Sequence, residues 1–412
     1  MKASRIKSNL AFASLALLLP VNSLLTIYNA HYKIESYFLL REAAVIPQVG
    51  LMLIIITQFL LKKITYKSKS AIIVLLFLLM IIIVVSITAS HIGETSKFID
   101  QFNRNAVREN FFVFIKYAIY FFIGVNIRLD KHYKIISLLI LIMLIISVLY
   151  YTNIANFRLD RGSDYSRRLD YLFVGDAFAI WSIFVISYLK KHSYIYILSF
   201  FILLTSFFIG SRAAFFFLFA GFTFYMHIKM KNKLFLAFMI TVFFIMIILY
   251  ILIDDISLLD NRMLSLLLLE DASLNSRSEI FRNSMDSFKA HWLQGRFAAP
   301  VLDFNNFGSY IHNHLSLWHQ FGLIPFLISV FLFIVLARDA LMSITSNLDK
   351  DPCLGASVIF LTILSIFLLL EIILARSYAY PYIWLCIGFL ASLRSDIYSK
   401  IKSLKSKRVG IT

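Results

Sequence analysis

Cysteine is almost absent from this chain, and charge is scarce. The two cysteines, Cys353 and Cys386, exclude a disulfide framework and a zinc site built on thiolates. Only 15% of the 412 residues are charged, 60% are hydrophobic, and the mean hydropathy is +0.81. These proportions exclude a soluble globular protein and describe a polytopic membrane protein. Also missing are an internal repeat of the kind that marks many transporters and a segment polar enough to form a soluble domain. The first apolar stretch has the basic start of a signal peptide (Lys2, Arg5, Lys7) but no small-residue cleavage site after it, so a retained helix is expected there.

What is present is a succession of apolar windows. A membrane-crossing helix needs about 20 apolar residues, and such windows fall near 10–28, 42–61, 71–90, 111–127, 134–152, 170–189, 193–209, 213–228, 233–253, 318–337, 355–374 and 378–393. The expectation is an all-α polytopic protein of about twelve transmembrane helices, folded as a single membrane domain over residues 1–412. With the N-terminus inside, 23 basic residues fall in the inner segments and 16 in the outer ones, Lys116 lying within a span. Both termini are then cytoplasmic. The two outer loops of interest are 153–169 and 254–317, the second 64 residues long. Loops of that length in compact proteins are usually functional.

The kind of base separates more sharply than the number. The inner segments hold 18 Lys and 5 Arg, the outer ones 3 Lys and 13 Arg. Topology requires only positive charge, whereas the guanidinium fork suits bidentate binding of phosphate oxygens. The outer face is therefore expected to meet a phosphate-bearing ligand, the alternative being chance or contact with lipid headgroups. The net charge of +17 points to anionic lipid at the inner surface and not to nucleic acid, because the inner basic runs are short, Lys-based and pressed against spans.

Four segments could carry chemistry. The loop "NIANFRLDRGSDYSRRLD" holds Arg158, Arg161, Arg167 and Arg168. "IGSRAAF" sets Arg212 between apolar helices, where an ionisable group is a functional candidate unless it snorkels to the headgroups. In the long loop, Ile280, Phe281, Met285, Phe288 and Trp292 recur at helical spacing. This predicts an amphipathic helix on the membrane surface, capped by Asn275 or Ser276 with Glu279 in a capping box and ended by Gly295. It carries Arg277, which could bind phosphate or pair with Glu279 or Asp271.

The fourth segment, "GSYIHNHLSLWHQFG", collects His312, Asn313, His314 and His319. On a helix, positions 312 and 314 point about 200° apart and no carboxylate stands at ligand spacing, which argues against a metal. Capping or hydrogen bonding is one remaining reading, and general base catalysis by imidazole the other. In the second, His312 takes a proton from a hydroxyl and Asn313 holds a sugar through its amide. Two further charges, Lys116 and Glu371, lie inside spans and could pair, bind an anion or stabilise the bundle. "LARSYAYP" adds Arg376 with Tyr378, Tyr380 and Tyr382, read first as an interface belt and second as a sugar-stacking set.

"GSRAAF" around Arg212, "SRSEIF" around Arg277 leading to "HWLQGRF", and "IHNHLSLWHQFGLIP" after the long outer loop, in that order among about twelve spans, resemble the O-antigen polymerase and O-antigen ligase superfamily. The resemblance runs from about residue 158 to 340. Pro325 stands where members often have a second glycine, three residues after the one matching Gly322. The resemblance implies a GT-C-like fold in the bacterial inner membrane, with a periplasmic site that takes undecaprenyl-diphosphate-linked glycans without a metal or other cofactor. Residue by residue, it implies diphosphate binding by Arg212, Arg277 and one of Arg158 or Arg161, and a general base at His312. Polymerase is favoured over ligase because 41 Phe and 21 Tyr against 13 Gly and 6 Pro reflect a biased coding background, as antigen clusters often have. A chain-length regulator and a flippase are partners implied by the family. A lipid-linked oligosaccharide transporter is the competing class.

Overall fold

The computed structural model describes residues 2–32, 45–60, 68–129, 131–153, 158–159, 170–189, 192–227, 272–306, 311, 313–345 and 355–393. It is mostly helical. Helix occupies eleven of the twelve apolar stretches read from the sequence, and the remaining one, 233–253, lies outside the described residues. Ile6–His31, Ala71–Ser90 and Gly355–Ala375 are long and apolar enough to cross a membrane, and shorter apolar helices include Lys134–Tyr150, Tyr171–Ser187, Tyr194–Ile209 and Pro381–Leu393. The chain divides into two compact units interleaved in sequence: residues 1–57, 127–271 and 340–367, and residues 58–126, 272–339 and 368–412.

The first unit is centred on Trp181. Helix α1 (Lys2–Ala16) passes through a π-turn, Leu17–Val21, into α2 (Asn22–His31). The π-turn contains Pro20, which has no N–H to donate and crowds the preceding turn. α3 is Ile46–Leu60, which ends just beyond this unit, and α6 is Lys134–Tyr150. α7 (Tyr171–Ser187) is started by Asp170, whose carboxylate accepts from the Leu172 and Phe173 N–H groups at 3.1 and 3.2 Å. Every α7 residue from Val174 to Ser187 is buried. Around it, Phe12 stacks on Tyr133 with ring centres 4.0 Å apart, Trp181 lies 5.4 Å from Phe184, and the Trp181 indole N–H donates to the Ser137 carbonyl at 3.2 Å. α8 (His192–Ile209) and α9 (Arg212–Tyr225) close the unit across a tight turn with Gly210 at φ +76°. A Cβ at Gly175 would lie 2.3 Å from the Ser211 Cβ, so α7 needs glycine there to touch that turn.

In the second unit, α4 (Ser68–Ser90), α5 (Ala106–Asn126) and α15 (Pro381–Leu393) pack closely. A Cβ at Gly124 would meet the Leu385 carbonyl at 2.3 Å, and one at Gly388 the Phe121 carbonyl at 2.2 Å, so α5 and α15 cross backbone to backbone. Phe77 stacks on Phe121, and Trp384 fills the space between Phe77 and Tyr117. Asp100 is buried and held by the Arg104 guanidinium, which also donates to Asn306; this ties segment 91–105 to segment 297–306.

Two expectations for the long loop change. Its helix, α10, runs Ala272–Ala290. Asn275, Ser276 and Glu279 are therefore interior residues and not a cap, because Ala272 and Leu274 are good helix formers that carry the helix one turn further back. The helix also stops before Gly295, which sits at φ +72° in the following turn. The apolar run 318–337 is divided. α12 is Leu315–Phe321, α13 is Leu323–Thr345, and Gly322 at φ +85° separates them. That glycine and Gly295 lie against each other, a Cβ on Gly295 falling 2.3 Å from the Gly322 nitrogen. His319 consequently belongs to a short helix ahead of the long apolar one.

Candidate functional site

Histidine and asparagine reach their positions in the second unit through α12. The Asn313 side-chain oxygen accepts from the Leu315 N–H at 3.0 Å, and its carbonyl accepts from the Ser316 N–H and hydroxyl. Asn313 thus starts the helix, leaving its amide nitrogen as the side-chain group that can address a ligand. His314 turns inward, and its Nε2 lies 2.6 Å from the Ser329 hydroxyl on α13. It is buried, and burial holds its pKa down to about 3, so it stays neutral. His314 is a structural hydrogen-bonding residue. Since α12 begins at Leu315, positions 312 and 314 precede it, and the helical angle between them does not apply. His312 lies outside the described residues.

His319 occupies the other side of α12. Its Nε2 lies 3.4 Å from the Ser287 hydroxyl on α10 and 3.8 Å from the Asp303 carboxylate on α11 (Ala299–Phe304). Arg296 donates to Ser287 at 3.1 Å and forms a close ion pair with Asp303, while its backbone N–H donates to the His319 carbonyl at 2.7 Å. Four residues from three helices and a turn therefore meet in one polar cluster. Its outer wall is aromatic: Phe288 lies 4.9 Å from Trp318, and the Trp318 indole donates to the Trp292 carbonyl. Ser287, Arg296 and Asp303 were not singled out from the sequence. Asp303 follows an apolar run with no motif around it, and only the fold brings it to His319.

Arg277 is half-buried on α10. Positions 277, 284 and 288 share one stripe of the helix; Ser284 on it is buried and Phe288 contacts α12. Arg277 is thus on the side of α10 that faces the α12 region, about 10 Å along the axis from Ser284. The remaining arginine candidates belong to the first unit. Arg212 is the first residue of α9, at the helix edge the sequence implied, and is half-buried. Arg158 lies in a two-residue strand, Arg158–Leu159, whose partner is Thr152–Asn153 with Asn153 opposite Arg158. Arg161, Arg167 and Arg168 lie outside the described residues.

Beneath Asn313 and His314 is a cavity of about 450 Å³ lined by Phe326, Val330, Phe333, Ile372 and Ile373. Its wall continues α14 (Gly355–Leu370) through a π-turn, Glu371–Ala375. Glu371 does not pair with Lys116. Its carboxylate lies 3.2 Å from the Arg376 Nε, both side chains being buried, whereas Lys116 is exposed. Arg376 is five positions after Glu371, and the π-turn places them side by side. The tyrosines do not form an interface belt either. Tyr378 and Tyr382 are buried, and the Tyr378 hydroxyl donates to Asn110 at 3.3 Å. Among the described residues no three His, Cys, Asp or Glu side chains converge as a metal site. The chain matches no protein-family model and no curated protein sequence.

Proposed function

We propose that this protein is a membrane glycosyltransferase of the O-antigen polymerase kind, joining undecaprenyl-diphosphate-linked repeat units at the periplasmic face of a bacterial inner membrane. The observation that carries the reading is the packing of α10, the helix of the long outer loop with Arg277, against α12, the helix that Asn313 starts. An anion-binding guanidinium and a hydroxyl-binding amide thereby belong to one unit. In this reading about twelve helices cross the membrane in a GT-C-like arrangement with cytoplasmic termini.

The chemistry follows from the residue types. The acceptor sugar hydroxyl attacks the anomeric carbon of the donor glycan, the bond from that carbon to the diphosphate oxygen breaks, and undecaprenyl diphosphate leaves. The hydroxyl proton passes to His312. Arg277 stabilises the charge developing on the leaving oxygen; for Arg212 and an arginine of the 153–169 loop, Arg158 or Arg161, the same role rests on the family resemblance alone. Asn313 orients the acceptor. The apolar cavity beneath it suits the hydrocarbon of the carrier lipid.

The test is a lipopolysaccharide ladder from cells lacking the gene, complemented with wild type or His312→Ala at matched protein level. A deletion that leaves core plus one repeat, not restored by His312→Ala, supports the polymerase. Bare core with accumulated lipid-linked polymer identifies the ligase, which uses the same donor and a lipid A-core acceptor. Loss of lipid-linked repeats from the outer leaflet identifies a transporter, and a full ladder with His312→Ala removes the assigned base.

A further inference from the structure

Glu371 and Arg376 are both about 5% exposed, and an ion pair in that setting does little for stability. Desolvating each charge is costly, and the attraction regained roughly cancels that cost. Their placement suggests another use. The Arg376 N–H donates to the Glu371 carbonyl at 2.8 Å, and the side-chain pair bridges the same two residues, so backbone and charge close one π-turn together. Arg376 is further fixed over the Tyr380 ring, 4.8 Å from its centre. Beyond the turn the chain is extended, with Arg376 at φ −120° and ψ 133°.

Ending the helix here directs the Ile372 carbonyl to a different partner. It accepts from the His314 N–H at 3.1 Å, and six residues further on the Tyr378 N–H donates to the Ser316 hydroxyl at 3.3 Å. Segment 371–378 thus grips segment 313–316 at two points. π-turns of this kind are frequent at functional sites.

We propose that Glu371 and Arg376 are positioning residues: their buried ion pair fixes the π-turn that holds the turn Asn313–Ser316 in place for glycosyl transfer. This rests on the proposed function, with Asn313 and its neighbour His312 at the reacting centre. The pair does not touch substrate.

The test uses full-length purified protein in lipid nanodiscs, with undecaprenyl-diphosphate-linked repeat units extracted from a polymerase-deficient strain. Glu371→Gln, Arg376→Lys, the charge-free double variant E371Q/R376M and His312→Ala are compared, together with E371Q in the His312→Ala background. Expected are a 10- to 100-fold fall in kcat for Glu371→Gln with KM within twofold of wild type, a smaller fall in Arg376→Lys, and a clearly smaller loss when Glu371→Gln is added to His312→Ala. The double variant should fold, because no charge is left buried alone, and show the same fall in kcat. A rise in KM alone, wild-type turnover in the double variant, or an equal loss in both backgrounds overturns the positioning role. If His312→Ala itself retains full turnover, the proposed reaction centre fails first, and that result is separate from the behaviour of Glu371→Gln.

Discussion

The helices Tyr171–Ser187 and Leu315–Phe321 are both largely enclosed by their own units, yet they are buried for different reasons. In the first, fourteen consecutive residues are buried and all but Asp176, Ser182 and Ser187 are apolar or glycine, with Trp181, Phe178 and Phe184 among the largest enclosed side chains. In the second, Ser316, His319 and Gln320 are buried, and His314 precedes them. Apolar burial is favourable by itself, whereas polar burial costs free energy unless each group finds a partner. His314 and His319 reach the Ser329 and Ser287 hydroxyls, His319 also lies near Asp303, and the Ser316 hydroxyl accepts from the Tyr378 N–H, whereas the Gln320 Oε1 and His314 Nδ1 find no hydrogen-bond partner among the described residues. One helix is a scaffold element. The other is surrounded by an arrangement that stability alone does not require, which is why the site is assigned there.

Several changes would break or sharpen this contrast. The largest effect is expected for His312→Ala, with turnover lowered about 10²- to 10⁴-fold, the usual contribution of a general base, and the thermal midpoint unchanged in detergent. An unaltered rate would make the region around the short helix structural too. Trp181→Ala should do the reverse, destabilising by about 3–5 kcal/mol while the folded fraction keeps its turnover; paired melting and activity measurements read both.

His314 offers a test by pH. Its folded pKa, about 3, lies below the ordinary 6.5, so the unfolded chain binds the proton first. Stability from this residue is complete above pH 6.5 and declines below it, by up to about 1.4 kcal/mol per pH unit. In His314→Gln, which retains a hydrogen-bonding group for Ser329, that acid slope should flatten. Asp303→Asn removes the charge facing Arg296 and His319. Because the guanidinium is partly exposed, a loss of about 1 kcal/mol is expected, measurable as a lowered melting midpoint. The smallest change is Lys116→Gln. An exposed residue away from both polar clusters should alter stability by less than about 0.5 kcal/mol, and a larger loss would show that Lys116 has a role in the bundle.

Helix positions were legible in the sequence because hydrophobic run length and composition are local properties. Arg212 at a helix edge and the helical spacing around Phe288 were both visible in that way. The site was legible only in part. Asn313 was singled out for its amide, but half of that amide caps a helix, a role set by where the helix begins. Gly322 moved His319 out of the apolar span, and this break depends on the backbone meeting Gly295, 27 positions earlier.

The amino-acid sequence by itself determined the chemical character of the protein: a strongly apolar chain, mostly helical, with arginine gathered in the segments read as outer. These follow from composition and short-range periodicity, which need no partner to act. Only the tertiary structure decided that Glu371 pairs with Arg376, that Tyr378 is buried, and that Ser287, Arg296, Asp303 and His319 form one cluster. Such contacts join residues through a π-turn or through three separate helices. A side chain's partner in a closed interior is set by which surfaces exclude lipid and water together, and distant parts of the chain contribute those surfaces.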